Sequence, residues 1–127
     1  MLQVLKVFVF VSALFGLSAQ AQAARVTGNY LLEMCASNDD GKELIAGAHG
    51  VCQSYIAAII DYHNLVRSLG NVPAAGLDFC IPEKTTMNEL QRVVALYLRR
   101  TKHQNGSFVA APAVVLALYG TYPCRKK

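Results

Sequence analysis

Hydrophobic positions along this chain recur at helical rather than strand spacing. The longest pattern runs from Val51 to Leu69. There Cys52, Tyr55, Ile56, Ile59, Tyr62, His63, Val66 and Leu69 follow one another three and four residues apart, which aligns side chains along one helix face. Gly70 is placed to cap the C-terminal end, and Pro73 soon after blocks continuation. Upstream, Leu31, Leu32, Met34 and Cys35 form a short apolar patch after Thr27-Gly28-Asn29, predicting a first helix over about Asn29 to Ala36. Between the two, Ser37-Asn38-Asp39-Asp40-Gly41 has turn chemistry: small polar groups that bond their own backbone, then a glycine.

Two further helices follow. Thr86-Met87-Asn88-Glu89 fits a capping box, in which Thr86 accepts from a first-turn amide and Glu89 reaches back to the cap. Met87, Leu90, Val93, Val94, Leu96, Tyr97 and Leu98 give the next helix a broad apolar face. Arg99, Arg100 and Lys102 close its last turn, where cations suit the helix dipole. Asn71 to Asp78 and Lys102 to Gly106 read as polar loops. Phe108 to Tyr119 is apolar and alanine-rich, hence helical. Pro112 requires that helix either to start near Ala111, with the proline first, or to kink. No alternating run is bounded by hairpin turns. The expectation is an all-α fold: a small domain of four to five helices, without internal repeats.

Composition fits that picture. Of 127 residues 54% are hydrophobic and 16% charged, which excludes a disordered chain and suits one domain. Formal net charge is +4. The cations are scattered, apart from Arg99-Arg100-Thr101-Lys102 and Arg125-Lys126-Lys127. No dense basic stripe with interleaved aromatics is present, so no nucleic-acid partner is expected.

The N-terminus reads as an export signal. Lys6 precedes an uncharged apolar run over residues 7–17, followed by Ser18-Ala19-Gln20-Ala21-Gln22-Ala23-Ala24. That order of charged, apolar and small residues is a secretory signal peptide. The apolar run is about half of the ~20 residues a bilayer crossing needs. Residues 1–23 are therefore read as the signal, cleaved after Ala23 with Ala21 as the alternative, and residues 24–127 as the mature helical domain. The expected compartment is the periplasm, with no membrane anchor after cleavage.

Cys35, Cys52, Cys80 and Cys124 all lie in the mature part. An even number in a short exported chain argues for disulfides. No Cys-x-x-Cys pair is present, against the close ligand pairs of zinc sites. Antiparallel packing of the predicted helices selects the connectivity. Cys35 ends the first helix where Cys52 begins the second, and Cys80 precedes the third helix where Cys124 follows the fourth. The expected bridges are Cys35–Cys52 and Cys80–Cys124.

Catalytic patterns are sparse. Asp39-Asp40 could pair as acid and base, but adjacent carboxylates in a polar turn are more often solvated. His63 and Asp61 stand two apart and do not face each other on a helix. His49 precedes the second helix as an exposed or capping group, and His103 lies in a loop. There is no His-Glu-x-x-His, Gly-x-Ser-x-Gly or glycine-rich phosphate loop, and no free thiol is expected. No catalytic residue, metal site or cofactor is assigned.

Four stretches, in order, resemble a known family. Leu31-Leu32-Glu33-Met34-Cys35 opens the pattern. Cys52-Gln53-Ser54-Tyr55-Ile56-Ala57-Ala58-Ile59-Ile60-Asp61 follows, then Cys80-Ile81-Pro82 leading into Thr86-Met87-Asn88-Glu89-Leu90-Gln91. Tyr122-Pro123-Cys124 closes an alanine-rich last helix. The set resembles the Rap/Tai immunity proteins of type VI secretion over Gly28 to Cys124. Two glycines of the family's second helix are Ser54 and Ala58 here, which remain small, and Pro112 interrupts the last helix. The resemblance implies a non-catalytic, disulfide-bonded periplasmic protein. Such a protein binds a secreted peptidoglycan amidase effector, blocks its cleft sterically and often forms a homodimer. Lys102, His103, Gln104 and Asn105 are the expected effector-binding segment, and Ser37 to Lys42 the second candidate. Two other classes stay open: a small periplasmic stress chaperone and a subunit of an envelope complex.

Overall fold

A computed structural model describes residues 25–73 and 76–125. Residues 1–23, read above as an export signal, lie outside the described residues. The described residues form five helices: α1 (Gly28–Cys35), α2 (Ala48–Ser68), α3 (Met87–Arg100), α4 (Lys102–Asn105) and α5 (Ala110–Thr121). Among the described residues the only extended pairings are isolated bridges: Thr27 with Val109, Ser37 with Glu43 and Phe79 with Pro123. The fold is all-α with two disulfides, Cys35–Cys52 and Cys80–Cys124.

Each helix end has a local cause. At α1 the Thr27 hydroxyl accepts from the Tyr30 amide at 3.2 Å. The Gly28 and Asn29 amides, which have no partner inside the helix, donate to the Phe108 and Gly106 carbonyls at 2.9 and 2.8 Å. Gly47 precedes α2 with φ +82° and has no side chain to cap with. The Glu43 carboxylate takes over, accepting from the Gly47 and His49 amides at 2.8 and 3.0 Å. At the other end of α2, Gly70 sits at φ +76°. Its amide donates to Arg67 O while the Asn71 amide donates to Val66 O, the pattern of a Schellman cap. The predicted capping box of α3 forms in full: Thr86 Oγ1 accepts from the Glu89 amide, and Glu89 accepts from the Thr86 amide.

Three expectations change. The stretch from Lys102 is not a loop but the single-turn helix α4, in which the Asn105 amide donates to Thr101 O at 2.8 Å. It is held from outside: Gly106 sits so close to α1 that an added Cβ would strike the Asn29 side chain and the Lys102 carbonyl. The last helix starts at Ala110 and Pro112 is its third residue, where a missing amide hydrogen costs no intrahelical bond. Tyr62 and Leu69, expected on the buried face of α2, are each 68% exposed. At 100° per residue they stand about 80° and 100° around the helix from Cys52, so successive steps of three and four carry them off the face.

The core forms where the helices cross. Leu31, Ile56, Val94, Val114 and Leu118 are completely buried, together with Cys52. Ala110, Ala113 and Ala117 of α5 are also buried, and their small side chains let α5 lie close against α3. Burying such aliphatic side chains contributes roughly 1.5–3 kcal/mol each before ordering costs.

Candidate functional site

The two segments expected to meet a partner lie on different parts of the surface. On α4, Lys102, His103 and Gln104 are exposed and Asn105 is half-buried. Asn105 also accepts the Phe108 amide at 3.1 Å through its carbonyl. This turn is thus a fixed projection over the start of α1, not a free loop. The second segment, Ser37 to Lys42, is a tight turn. Asn38 Oδ1 accepts from the Lys42 amide at 2.8 Å, Gly41 adopts φ +76°, and Asp39 and Asp40 are exposed at its tip.

That turn borders a solvent-open cleft of about 580 Å³. Its walls are Ser37 and Gly41 on one side, His49 at the head of α2, and Gln91, Arg92 and Arg99 from α3. The floor is polar but fully satisfied. Buried Gln91 donates to the Cys35 carbonyl at 3.0 Å and accepts from Gln53 Nε2 at 2.8 Å, which also donates to Asn88 Oδ1 at 2.9 Å. This chain of amides ties α1, α2 and α3 together beside the Cys35–Cys52 bridge. Sequence reading missed it. The available signal was a glutamine beside Leu90 whose one- and two-turn neighbours, Val94 and Leu98, are core residues.

Ser37 and His49 deserve a chemical test, because Ser37 Oγ lies 3.1 Å from His49 Nε2 inside a cleft. The same Nε2 lies 3.1 Å from the Ala36 carbonyl oxygen. A carbonyl only accepts, so Nε2 carries the hydrogen. It then cannot take the serine proton, and the pair is not a nucleophile with its base. The arrangement instead anchors the turn to α2. Glu43 completes that anchor. The backbone amides of Gly47 and then His49, with the nearby His49 ring, hold its carboxyl below the usual value of 4.5.

A second polar cluster joins α2 to the segment before α3. His63 is buried, stacks on Phe79 at 3.7 Å, and places Nε2 3.1 Å from Asp78 Oδ1 and 3.2 Å from the Phe79 carbonyl. Arg67 Nε approaches the same Asp78 oxygen at 3.3 Å. The partner of His63 is thus Asp78, fifteen residues on, and not Asp61. Burial pushes the Tyr55 hydroxyl up, against a smaller lowering by the Ala111 backbone. Among the described residues no group of three or more histidine, cysteine or carboxylate side chains could hold a metal ion. None of the described helices is long and apolar enough to cross a membrane.

The described residues form a disulfide-stapled helical domain in which no buried side-chain polar atom lacks a partner. Residues 27–124 match the family described as Rap1a immunity proteins, and the chain belongs to that family. It is accordingly an immunity protein, whose family implies a cognate effector as partner. No curated protein and no solved structure matches the chain.

Proposed function

We propose that this protein is exported to the periplasm and there binds and sterically blocks a type VI secreted peptidoglycan amidase, protecting the cell from its own or a sibling's enzyme. The observation that carries the reading is the immunity-family match across residues 27–124. Export is supported by the signal-like residues 1–23 and by two disulfides, which persist in oxidising compartments. A homodimer is the assembly the family resemblance implies.

Inhibition would be steric. The α4 turn projects Lys102, His103 and Gln104, and its backbone is fixed by Thr101, Gly106 and the start of α1. A projection ordered before binding loses little conformational entropy on entering a cleft. The protection assay exports a peptidoglycan amidase encoded beside this protein into a test periplasm, with and without the protein. Lysis alone, survival together and co-purification are expected, and replacing Lys102, His103 and Gln104 with alanine should weaken protection. Lysis that proceeds unchanged in the presence of the folded protein would overturn the reading.

A further inference from the structure

The cleft beside the first disulfide carries two arginines that form no ion pair with the described residues. Arg92 and Arg99 are both exposed and both line it. Seven residues apart on α3, they share a face and stand about 10 Å apart along the axis. Among the described residues, the ion pairs are those of Asp78 with His63 and Arg67, so neither cleft arginine is paired. The helix dipole accounts for a cation at Arg99, in the last turn, but not for Arg92 in the middle. Glu89, one turn before Arg92, is engaged by Thr86 and feels the Arg92 charge only as the smallest of the influences on its carboxyl, without an ion pair between them. Between the arginines along α3 lie buried Ala95 and exposed Leu96, with the Gln91 amide just before Arg92. The cleft therefore offers two guanidinium groups beside Ala95, Leu96 and the satisfied Gln91 amide, and the volume of about 580 Å³ admits side chains from a partner.

We infer that this cleft receives a carboxylate-bearing segment of the inhibited enzyme, with Arg92 and Arg99 each taking one acidic side chain. This rests on the inhibitor reading and adds the chemistry of the partner's surface. Guanidinium groups bind carboxylates through two parallel hydrogen bonds, which gives orientation as well as attraction. A spacing of about 10 Å matches acidic residues two turns apart on one face of a helix, whereas same-face positions of a strand fall at about 7 or 13 Å. Asp39 and Asp40, at the tip of the bordering turn, are the built-in competitors.

Two arms test the inference. In the first, the protein is titrated calorimetrically with hexaglutamate, with hexaglutamine as the neutral control. In the second, its affinity for the amidase it neutralises in the protection assay is measured at low and high salt. Both use R92Q/R99Q and K84Q/R125Q, which remove equal charge inside and outside the cleft from exposed positions. The expected result is saturable hexaglutamate binding, about tenfold weaker in R92Q/R99Q and less than about threefold weaker in K84Q/R125Q. D39N/D40N should bind hexaglutamate more tightly. The amidase arm should show the same order, with a salt dependence that flattens in R92Q/R99Q. Equal losses in the two doubles, or no saturable hexaglutamate binding, would overturn the inference. A wild-type protein that captures no amidase sinks the inhibitor reading and this occupant with it. That outcome is distinguishable because the hexaglutamate arm needs no enzyme.

Discussion

The two disulfides staple similar hairpins but lie in different surroundings. Cys35 and Cys52 are 2% and 0% exposed, and their bridge sits in the core beneath the cleft. Cys80 is exposed and Cys124 half-buried, on a surface seam where the Cys80 amide donates to Tyr122 O and the Cys124 amide to Asp78 O. Chain entropy ranks them one way. Closing 17 residues restricts the unfolded chain by about 3 kcal/mol, and closing 44 by about 4. Burial ranks them the other way, because removing sulfur atoms from a packed core also leaves a void. The comparison teaches that the inner bridge is part of the packing that shapes the cleft, while the outer one mainly restrains the chain.

The largest expected effect follows from this contrast. C35A/C52A should lose about 4–5 kcal/mol and C80A/C124A about 3–4, read from urea unfolding at neutral pH. The reverse order would mean that loop closure outweighs core packing at the inner bridge. Under a mild reductant the outer bridge should open first, because its sulfur can be reached by a thiolate. Timed alkylation and peptide mapping would show the order.

What sequence alone could and could not reveal divides along the same line. Gly70, the Thr86–Glu89 box and both cysteine pairs were legible because each follows from local spacing or from one hairpin. The helix at Lys102 was not, because its polar residues carry no helical signal and its restraint comes from Gly106 against the distant start of α1. Tyr62 and Leu69 were misplaced because a step pattern of three and four drifts around a long helix. The Gln53–Gln91–Cys35 chain and the His63–Asp78 pair are tertiary, joining residues 38, 56 and 15 positions apart. The family resemblance was legible in motif order, yet it did not locate the cleft, which exists only once α1, α2 and α3 are packed.

A smaller effect sharpens the contrast between the bridges. Gln91→Ala leaves the Cys35 carbonyl without its donor and should cost about 2 kcal/mol. Because Gln91 reaches the backbone of the inner bridge, its effect should be non-additive with C35A/C52A. With C80A/C124A, which shares no partner with it, the effects should add within about 0.5 kcal/mol. Additivity with both would show that the amide chain and the inner bridge are energetically separate despite their contact. Unfolding of the wild type, the three separate variants and the two combinations closes the two cycles.

The smallest effect is one of pH, and it too belongs to the inner hairpin. In the folded state the Gly47 and His49 amides hold the Glu43 carboxyl below 4.5. A carboxyl with a depressed folded pKa stabilises the fold above its unfolded value, and that contribution disappears as pH falls through the folded value. Stability should therefore decline as pH falls through and below 4.5, with Glu89 at the α3 cap adding a second, parallel contribution through the Thr86 backbone. Glu43→Gln should be less stable than wild type at neutral pH and lose less on acidification, because the remaining titration comes from other carboxyls. The same substitution removes one acceptor from the head of α2, which carries His49 and so fixes the turn from Ser37 to Lys42. Hydrogen exchange at the amides of that turn should rise in Glu43→Gln at neutral pH, while amides near Cys80 and Cys124 stay as protected as before. Equal exchange in both regions would show that the Glu43 cap does not hold the turn, and that the cleft wall depends on the Ser37–His49 contact and the disulfide alone.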